Sequence, residues 1–321
     1  MTRASSAGPT SVTAFAPATV ANVAAGFDVL GFALATPGDR VTVTRDDTLD
    51  GVRVDSIEGV VRDLPRDPDR NTASVAVQSL LRATGERGGF RLSIDKGIAL
   101  GSGMGGSAAS AVAGVVAANR LLARPLARDR LLVHAVAGEH AASGAAHADN
   151  AAACLVGGLT AVVGGEPPRV VSIALPPDVC SVVVRPQRRL DTREARAALP
   201  STIPLDRHVA QSQRLAGFVA GCFAGDLELI ARSMEDLIAE PARARSIPGF
   251  AEARAAALGQ GAIGFGIAGS GPSVFAWVLG ESQGRQVERA VRAAFAAVGL
   301  ASDGWVGPLA ASGATVEAER R

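Results

Sequence analysis

The chain has 321 residues, 48% of them hydrophobic, with a formal net charge of +1, and this length suits two domains better than one small core. The near-neutral charge argues against an extended nucleic-acid-binding face, which needs clustered positive charge to neutralise phosphates. Lys96 is the only lysine, which excludes a Walker-type GxxxxGK[ST] loop and argues against a Schiff-base mechanism.

The first half of the chain predicts strands and helices in alternation. Residues 1–10 have the composition of a disordered lead-in. Alternating polarity predicts strands at 11–18, 40–45, 51–57 and 89–95, with Pro17 ending the first. Helical periodicity appears at 71–83, in the part of 97–124 that follows a Gly-rich loop, and at 126–143. The segment 144–164 predicts a polar stretch followed by an apolar, Gly-broken strand pair.

The second half predicts a separate α+β unit. EPPR at 166–169 is a break in the pattern, so we expect an N-terminal domain over 11–165 and a C-terminal domain over 166–321. Strands are predicted at 169–175, at 179–186, on both sides of a Gly turn in 262–279, and at 305–318. Helices are predicted at 206–223, 226–238, 251–260 and 283–298. The order β-α-α-β-β-α-β is compatible with a ferredoxin-like sandwich.

Cysteine usage and hydropathy indicate the compartment. Cys154, Cys180 and Cys222 are widely spaced and form no CxxC pair, which argues against a disulfide framework or a zinc site and favours a reducing cytoplasm. The N-terminus lacks the continuous apolar stretch of a signal peptide, and no apolar run reaches transmembrane length. We therefore expect a cytoplasmic protein that does not associate with membranes.

The segment LGSGMGGSAAS at 100–110 carries the main chemical signal, with four glycines in six residues before an Ala/Val-rich helix. Glycine lets the backbone approach a ligand closely, and the helix N-terminus adds unpaired N–H groups and a positive dipole end. Together these features can hold a polyphosphate without a lysine. Ser107 and Ser110 add hydroxyls, one of which could bind Mg²⁺. The alternative is a flexible turn that only caps the helix.

A second candidate is the stretch APATVANVAAGFDVLGFAL at 16–34. Asn22 and Asp28 interrupt residues that are otherwise suited to burial. A buried carboxylate needs a cation or several N–H donors as partners, so this stretch predicts a site for a charged ligand. The alternative is that both residues cap a turn between two strands.

A third candidate is the polar segment GEHAASGAAHADN at 138–150, which contains Glu139, His140, His147, Asp149 and Asn150. Neither HExxH nor HxxEH is present, which argues against zinc. Glu139 is a hard oxygen ligand and suits Mg²⁺ better. The alternative is a polar helix end followed by a helix N-cap at Asp149 or Asn150.

These three candidate segments, together with three others, resemble the motifs of the GHMP kinases and follow the order that those motifs have in the family. LGSGMGGSAAS resembles the signature PxxxGLGSSAA, and GIAGSGPSVFA at 266–276 resembles the C-terminal motif of that family. The segments 22–28, 138–158, 192–200 and 240–250 resemble its homoserine-phosphorylating members in particular. The resemblance implies an α+β two-domain GHMP kinase fold, with an N-terminal domain like ribosomal protein S5, a ferredoxin-like C-terminal domain, and ATP between them.

The resemblance also implies a role for individual residues. Those matching the homoserine pocket are Asn22, Asp28, His147, Asn150, Thr192, Arg196 and Arg243, with Arg243 preferred to Arg245. Those matching the ATP-phosphate loop are Leu100, Gly101, Ser102, Gly103, Met104, Gly105, Gly106, Ser107 and Ser110, and Gly106 stands where the family usually has serine. Asn71 matches a residue beside the adenine, and Ser107 and Glu139 match the Mg²⁺ positions.

The implied activity is ATP-dependent phosphorylation of the side-chain hydroxyl of L-homoserine. Arg196 and Arg243 suit its carboxylate, Asp28 and Asn22 its ammonium, and Asn150 its hydroxyl. Related mevalonate-type kinases use an Asp–Lys pair, but Lys96 lies outside the matching motif. We therefore expect catalysis by alignment and Mg²⁺, with Asn150, Asp28, Glu139 and Arg196 as the catalytic set. Asp28 as a base is the alternative.

Three other functions remain open at this point. A GHMP kinase for another alcohol, such as mevalonate or shikimate, would leave Asp28 without an ammonium to face. A catalytically inactive relative could bind ligands as a regulator, although Ser107, Glu139 and the Gly-rich loop are intact. An unrelated structural α+β protein would share none of these motifs. The resemblance further implies a homodimer.

Overall fold

The computed structural model describes residues 8–143, 148–165 and 168–320, so residues 1–7 of the predicted lead-in lie outside it. Its strands are β1 (Ser11–Ala21), β2 (Leu30–Asp46), β3 (Gly51–Gly59), β4 (Gly89–Lys96), β5 (Leu159–Val163), β6 (Arg169–Ile173), β7 (Val179–Pro186), β8 (Gly264–Ile267), β9 (Val274–Leu279), β10 (Ser302–Pro308) and β11 (Thr315–Arg320). Its helices are α1 (Thr72–Thr84), α2 (Gly106–Leu121), α3 (Leu132–Ser143), α4 (Asp149–Val156), α5 (Thr192–Ala197), α6 (Leu205–Ala224), α7 (Leu227–Ser233), α8 (Ala239–Arg243), α9 (Phe250–Gly259) and α10 (Gly280–Ala297).

The first sheet joins both ends of the described chain. Its order is β11-β1-β2-β4-β3, and β5 and β6 extend it from the start of β2. The pairs are antiparallel except β3–β4, which is parallel and is connected through α1. β6 and β11 follow the predicted boundary near 165 in sequence, yet both belong to this sheet. The division into domains at 11–165 and 166–321 therefore stays a prediction.

The second sheet has the antiparallel order β10-β7-β9-β8. Helices α9 and α10 pack on one of its faces and enclose a core of their own. Phe275 and Trp277 point from β9 in the other direction and meet Phe32 of β2 at ring-centroid distances of 5.7 and 6.1 Å. This arrangement confirms the predicted ferredoxin-like unit, and the shared aromatic contact docks it on the first sheet.

Helix α2 passes through the centre of the N-terminal unit. It contacts β1 and β2 on one side and α1, α3 and α4 on the others. Every residue of 108–118 is buried, because alanine, valine and glycine let neighbouring elements approach closely on all faces. The start of α2, where the Gly-rich loop ends, is thereby held in a fixed position. No helix in the described part of the chain is long and apolar enough to span a membrane.

Most predicted elements are confirmed, with four corrections. Pro17 does not end the first strand: β1 continues to Ala21, and its register against β2 shifts at Pro17, because proline has no N–H for the ladder. Residues 149–156 form α4, where the polar stretch of 144–164 was predicted to lead into a strand, since this Ala-rich run is a good helix former. α7 ends at Ser233 and not at 238, because Asp236 accepts backbone N–H bonds that lead into α8. The short helices α5 and α8 were not predicted.

Candidate active site

The Gly-rich loop has a backbone that only glycine adopts easily. Gly101, Gly103 and Gly105 have φ values of +62°, +78° and +65°. A Cβ on Gly105 would lie 2.1 Å from the Thr19 hydroxyl, and one on Gly103 would lie 2.5 Å from the Ala268 carbonyl oxygen. The loop is therefore packed tightly against β1 and against the 266–276 segment, and it is not a loose surface turn.

Backbone hydrogen bonds tie this loop to three parts of the chain. The carbonyl of Met104 accepts from Thr19 N at 3.1 Å, and the carbonyl of Ser102 accepts from Ser273 N at 3.2 Å. The carbonyl of Gly101 accepts from the N–H of Leu190 at 3.1 Å, just before α5. These bonds direct carbonyl groups into the protein. The first N–H groups of α2 have no partner within the helix and can serve an anion.

Ser107 and Glu139 meet beside the start of α2. The Ser107 hydroxyl donates to Glu139 Oε2 at 3.1 Å. Burial raises the pKa of Glu139 to about 7, and the bond from Ser107 opposes that shift. Gly138 lets α3 approach α1 here, because a Cβ at this position would lie 2.4 Å from the Thr72 carbonyl oxygen. A hydroxyl and a carboxylate side by side are hard oxygen ligands that fit Mg²⁺.

The described residues contain no group of three His, Cys, Asp or Glu side chains that could hold a metal by themselves.

Asn150 lies directly beneath the Gly-rich loop, in the first turn of α4. Its Oδ1 accepts a hydrogen bond from the Thr19 hydroxyl at 2.7 Å, and it would lie 2.7 Å from a Cβ on Gly105. The neighbouring Asp149 is buried, and burial raises its pKa to about 7. Asp149 was included in the third candidate segment of the sequence but was given no role in the implied site. The N-cap of α4 is Ala148, so neither Asp149 nor Asn150 is the cap.

The loop from Asn22 to Asp28 is a strained turn that the Asn22 side chain bridges. Asn22, Val23, Ala24 and Asp28 all have positive φ, a conformation that is uncommon for residues other than glycine and is found at functional sites. The Asn22 carboxamide accepts from Asp28 N at 3.1 Å and donates to the Gly269 carbonyl at 2.9 Å. The predicted turn-capping role of Asn22 is thus present, and it connects this loop to the 266–276 segment.

Asp28 and two arginines form a charged cluster at the end of that loop. Arg196 Nη2 donates to the two Asp28 oxygens at 2.7 and 2.9 Å. Arg243 is buried and donates to the Gly269 carbonyl at 2.9 Å, whereas Arg245 is exposed. Burial, followed by the charge of Arg196, lowers the pKa of Arg243. The cluster offers a carboxylate and two guanidinium groups to a zwitterion.

The other predicted residues occupy varied positions. Thr192 begins α5 and contacts the Ser270 hydroxyl at 3.4 Å. Asn71 is the N-cap of α1, accepting from Ala73 N at 3.1 Å. Ser110 is buried one turn inside α2. Leu100 is exposed at the start of the loop, whereas Ser102 and Met104 are buried. His147 lies outside the described residues.

Lys96 lies beneath the Gly-rich loop and has a buried partner. Its ammonium pairs with Asp39 and donates to the Gly106 carbonyl at 2.7 Å and the Ser110 hydroxyl at 2.9 Å. Ser110 in turn donates to Asp39 at 2.7 Å. The fold thus contains an Asp–Lys pair that sequence reasoning missed, because the two residues are 57 positions apart. Asp39 is fully buried, so this pair is part of the core under the Gly-rich loop and holds the start of α2 through the Gly106 carbonyl.

Comparison with known proteins identifies the family of the chain. The model of the GHMP kinases N terminal domain matches residues 71–158, and that of the GHMP kinases C terminal matches 218–297. A homoserine kinase of Xanthomonas campestris is 50% identical over 296 residues, covering 92% of this chain and 91% of that protein. A homoserine kinase of Chlorobium phaeobacteroides is 41% identical over 316 residues, covering 95% of this chain and 99% of that protein.

A solved structure is similar over the same extent. The homoserine kinase of Cytophaga hutchinsonii has a TM-score of 0.92 and 42% sequence identity, covering 96% of this chain and 98% of that one. Identity at this level over nearly the whole length, together with matches to both domain models, confirms the two-domain α+β fold that the motifs implied. The chain belongs to the GHMP kinase family, among the homoserine kinases.

Proposed function

We propose that this enzyme transfers the γ-phosphoryl group of ATP to the side-chain hydroxyl of L-homoserine and forms O-phospho-L-homoserine for threonine biosynthesis. The names of the relatives support this substrate. One structural observation carries the proposal: the charged cluster and the Gly-rich loop meet at Gly269. The carbonyl of Gly269 accepts from Arg243, and a Cβ at this position would lie 2.8 Å from the Gly103 carbonyl oxygen. A site for a zwitterion thus lies next to a site for phosphates.

Homoserine would enter this cluster as a zwitterion. Its carboxylate would bind Arg196 and Arg243, whose planar forks match a carboxylate. Its ammonium would bind Asp28 and the carboxamide oxygen of Asn22. Asp28 and Arg196 pair with one another in the free protein, so the substrate would exchange this ion pair for two new ones, its carboxylate with Arg196 and its ammonium with Asp28.

Asn150 would hold the substrate hydroxyl close to the terminal phosphate. Its carboxamide is fixed by the Thr19 hydroxyl and lies under the loop that would hold ATP. Phosphoryl transfer through a loose transition state depends on alignment and charge neutralisation more than on a strong base. Asp39 and Lys96 are buried beneath the loop, so we propose transfer by alignment. Proton acceptance by Asp28 is the second candidate, since its carboxylate would border the substrate.

Ser107 and Glu139 would hold Mg²⁺ together with the phosphates. When bound, the ion would neutralise charge on the transferring phosphoryl group.

Glu139→Gln should raise the Mg²⁺ concentration needed for half-maximal activity by about 10- to 100-fold or more. Losing a residue that only supports a metal ligand already lowers metal affinity by this factor, and Glu139 would be a ligand itself. Magnesium titration of the activity checks this. The exposed Glu252→Gln serves as control. An unchanged Mg²⁺ requirement in Glu139→Gln would remove this residue from the metal site.

The decisive test of the substrate is a panel assay. ADP release is measured with Mg-ATP and, separately, homoserine, mevalonate, shikimate and galactose. We expect turnover with homoserine at the highest kcat/KM, because it alone among the four carries both an ammonium for Asp28 and a carboxylate for the arginines. Faster turnover of mevalonate or shikimate would identify a different alcohol as the substrate. No turnover of any compound would favour a regulatory role.

We also propose that the enzyme works in the cytoplasm as a homodimer, independently of nucleic acid and membranes. Three free cysteines support a reducing compartment. A net charge of +1 gives little attraction to nucleic acid. The homodimer follows from the family resemblance, and sedimentation equilibrium is the measurement that checks it.

A further inference from the structure

Phe27 faces both guanidinium groups of the charged cluster. It is half-buried and directly precedes Asp28. The Cζ atom of Arg196 lies 5.2 Å from the centroid of its ring, and the Cζ atom of Arg243 lies 5.1 Å from the same centroid. The face of a phenyl ring carries negative charge density and attracts a guanidinium at such distances. One ring therefore contacts both arginines that would bind the substrate carboxylate.

The two arginines need such a contact, because they are like charges in a partly buried site. Arg196 has the Asp28 carboxylate as a partner. Arg243 is more deeply buried and bonds to the Gly269 carbonyl, while its Nε makes no hydrogen bond to the described part of the chain. Behind it, Asp236 and Glu240 line a small cavity. An aromatic face attracts both cations without accepting a hydrogen bond from their N–H groups.

The position of Phe27 also couples the two ends of the expected substrate site. Its main chain is part of the strained turn that orients Asp28, whereas its ring contacts Arg196 on α5 and Arg243 on α8. These elements are distant in sequence and meet at this one side chain. A smaller or non-aromatic side chain would leave the arginines to separate under their mutual repulsion.

We propose that Phe27 is a specificity-determining positioning residue, whose ring holds Arg196 and Arg243 at the separation at which one substrate carboxylate binds both. The proposal rests on the proposed function, because it assumes an amino-acid substrate. In this proposal, the enzyme prefers ligands with a carboxylate because of the aromatic ring as well as the two arginines. Phe27 does not touch the reacting atoms.

The first test compares Phe27→Leu with Phe27→Tyr. Leucine keeps apolar bulk but has no aromatic face, so we expect the homoserine KM to rise about 5- to 30-fold. The ATP KM and kcat should change less than about 2-fold, because the nucleotide site is untouched. Tyrosine keeps the ring and should restore a homoserine KM close to that of the wild type. If leucine prevents folding, Phe27→Met provides the same comparison.

The chain offers a matched control. Phe15 has the Cζ atom of Arg40 4.9 Å from its ring centroid, on β1 and β2 outside the site. Phe15→Leu removes a similar contact and should leave both KM values unchanged. A homoserine KM that rises as much in Phe15→Leu as in Phe27→Leu would show a general effect of losing an aromatic residue and would overturn the proposal.

A ligand without a carboxylate separates positioning from a general structural role. 3-Aminopropan-1-ol is homoserine without that group, and its inhibition constant is measured against homoserine. Phe27→Leu should leave this constant within about 2-fold of the wild-type value, because the ring acts on the carboxylate site alone. Equal weakening of both ligands, or an unchanged homoserine KM in Phe27→Leu, would overturn the inference. A wild-type enzyme inactive on homoserine would instead overturn the proposed function.

Discussion

Arg196→Ala should raise the KM for homoserine by roughly 30- to 1,000-fold and leave the KM for ATP nearly unchanged. The loss corresponds to about 2–4 kcal/mol of charge-assisted contact with the substrate carboxylate. The Asp28–Arg196 pair is partly exposed, so most of this effect reflects binding and little of it reflects the stability of the fold. Steady-state kinetics with each substrate varied in turn measure both constants.

A nearby arginine provides the control for this prediction. Arg188 is exposed between β7 and α5 and lies outside the charged cluster. Arg188→Ala should change neither KM by more than about 2-fold, because a single exposed charge is screened by water and salt. If Arg196→Ala retains the wild-type homoserine KM, the substrate pocket is not at this cluster.

The second large effect concerns stability and the only lysine. Lys96 and Asp39 are both buried, and the ammonium also holds the carbonyl of Gly106 and the hydroxyl of Ser110. Lys96→Met removes one partner and leaves a buried carboxylate without its cation. Removing one member of a buried pair costs about 3–5 kcal/mol. The free energy of unfolding, measured with urea, should fall by that amount.

A double variant distinguishes a lost charge from lost packing. Lys96→Met combined with Asp39→Asn removes both charges, and the Asn side chain can still accept from Gly97 N as Asp39 does at 3.0 Å. We expect it to recover most of the lost stability, since a buried pair replaced as a unit is often nearly neutral. A double variant as unstable as Lys96→Met would show that packing, and not the unpaired charge, dominates.

The surface pair Arg285–Glu281 on α10 is the matched comparison, because both side chains are more than half exposed. Arg285→Met should change the free energy of unfolding by no more than about 1 kcal/mol. A loss as large as that of Lys96→Met would contradict burial as the source of the effect. If the free energy of unfolding of Lys96→Met stays within about 1 kcal/mol of the wild-type value, the hydrogen bonds around Lys96 do not stabilise the fold beneath the Gly-rich loop.

The sequence by itself determined the features that depend on neighbouring residues. The helix predicted at 71–83 is α1, and the structure places Asn71 at its N-cap and Gly85 at its C-cap. The Gly-rich segment before α2 predicted a backbone that can approach a ligand closely, and Gly101, Gly103 and Gly105 have positive φ. The strand and helix order of the second half predicted the ferredoxin-like sheet. Hydrophobic periodicity, helix caps and glycine conformations depend on residues that are close in sequence, so they can be predicted without knowledge of the fold.

Only the tertiary structure decided which distant groups meet. The family resemblance placed Asp28 and Arg196 in one pocket, but only the structure shows that they bond directly across 168 positions. Nothing local to Phe27 indicates that two arginines from α5 and α8 converge on its ring. The partner of Lys96 and the burial of Asp149 were likewise hidden in the sequence. Such contacts depend on how whole elements dock, which is set by the packing of α2 and of the aromatic residues between the two sheets. For this reason the elements could be predicted, whereas the geometry of their charges could not.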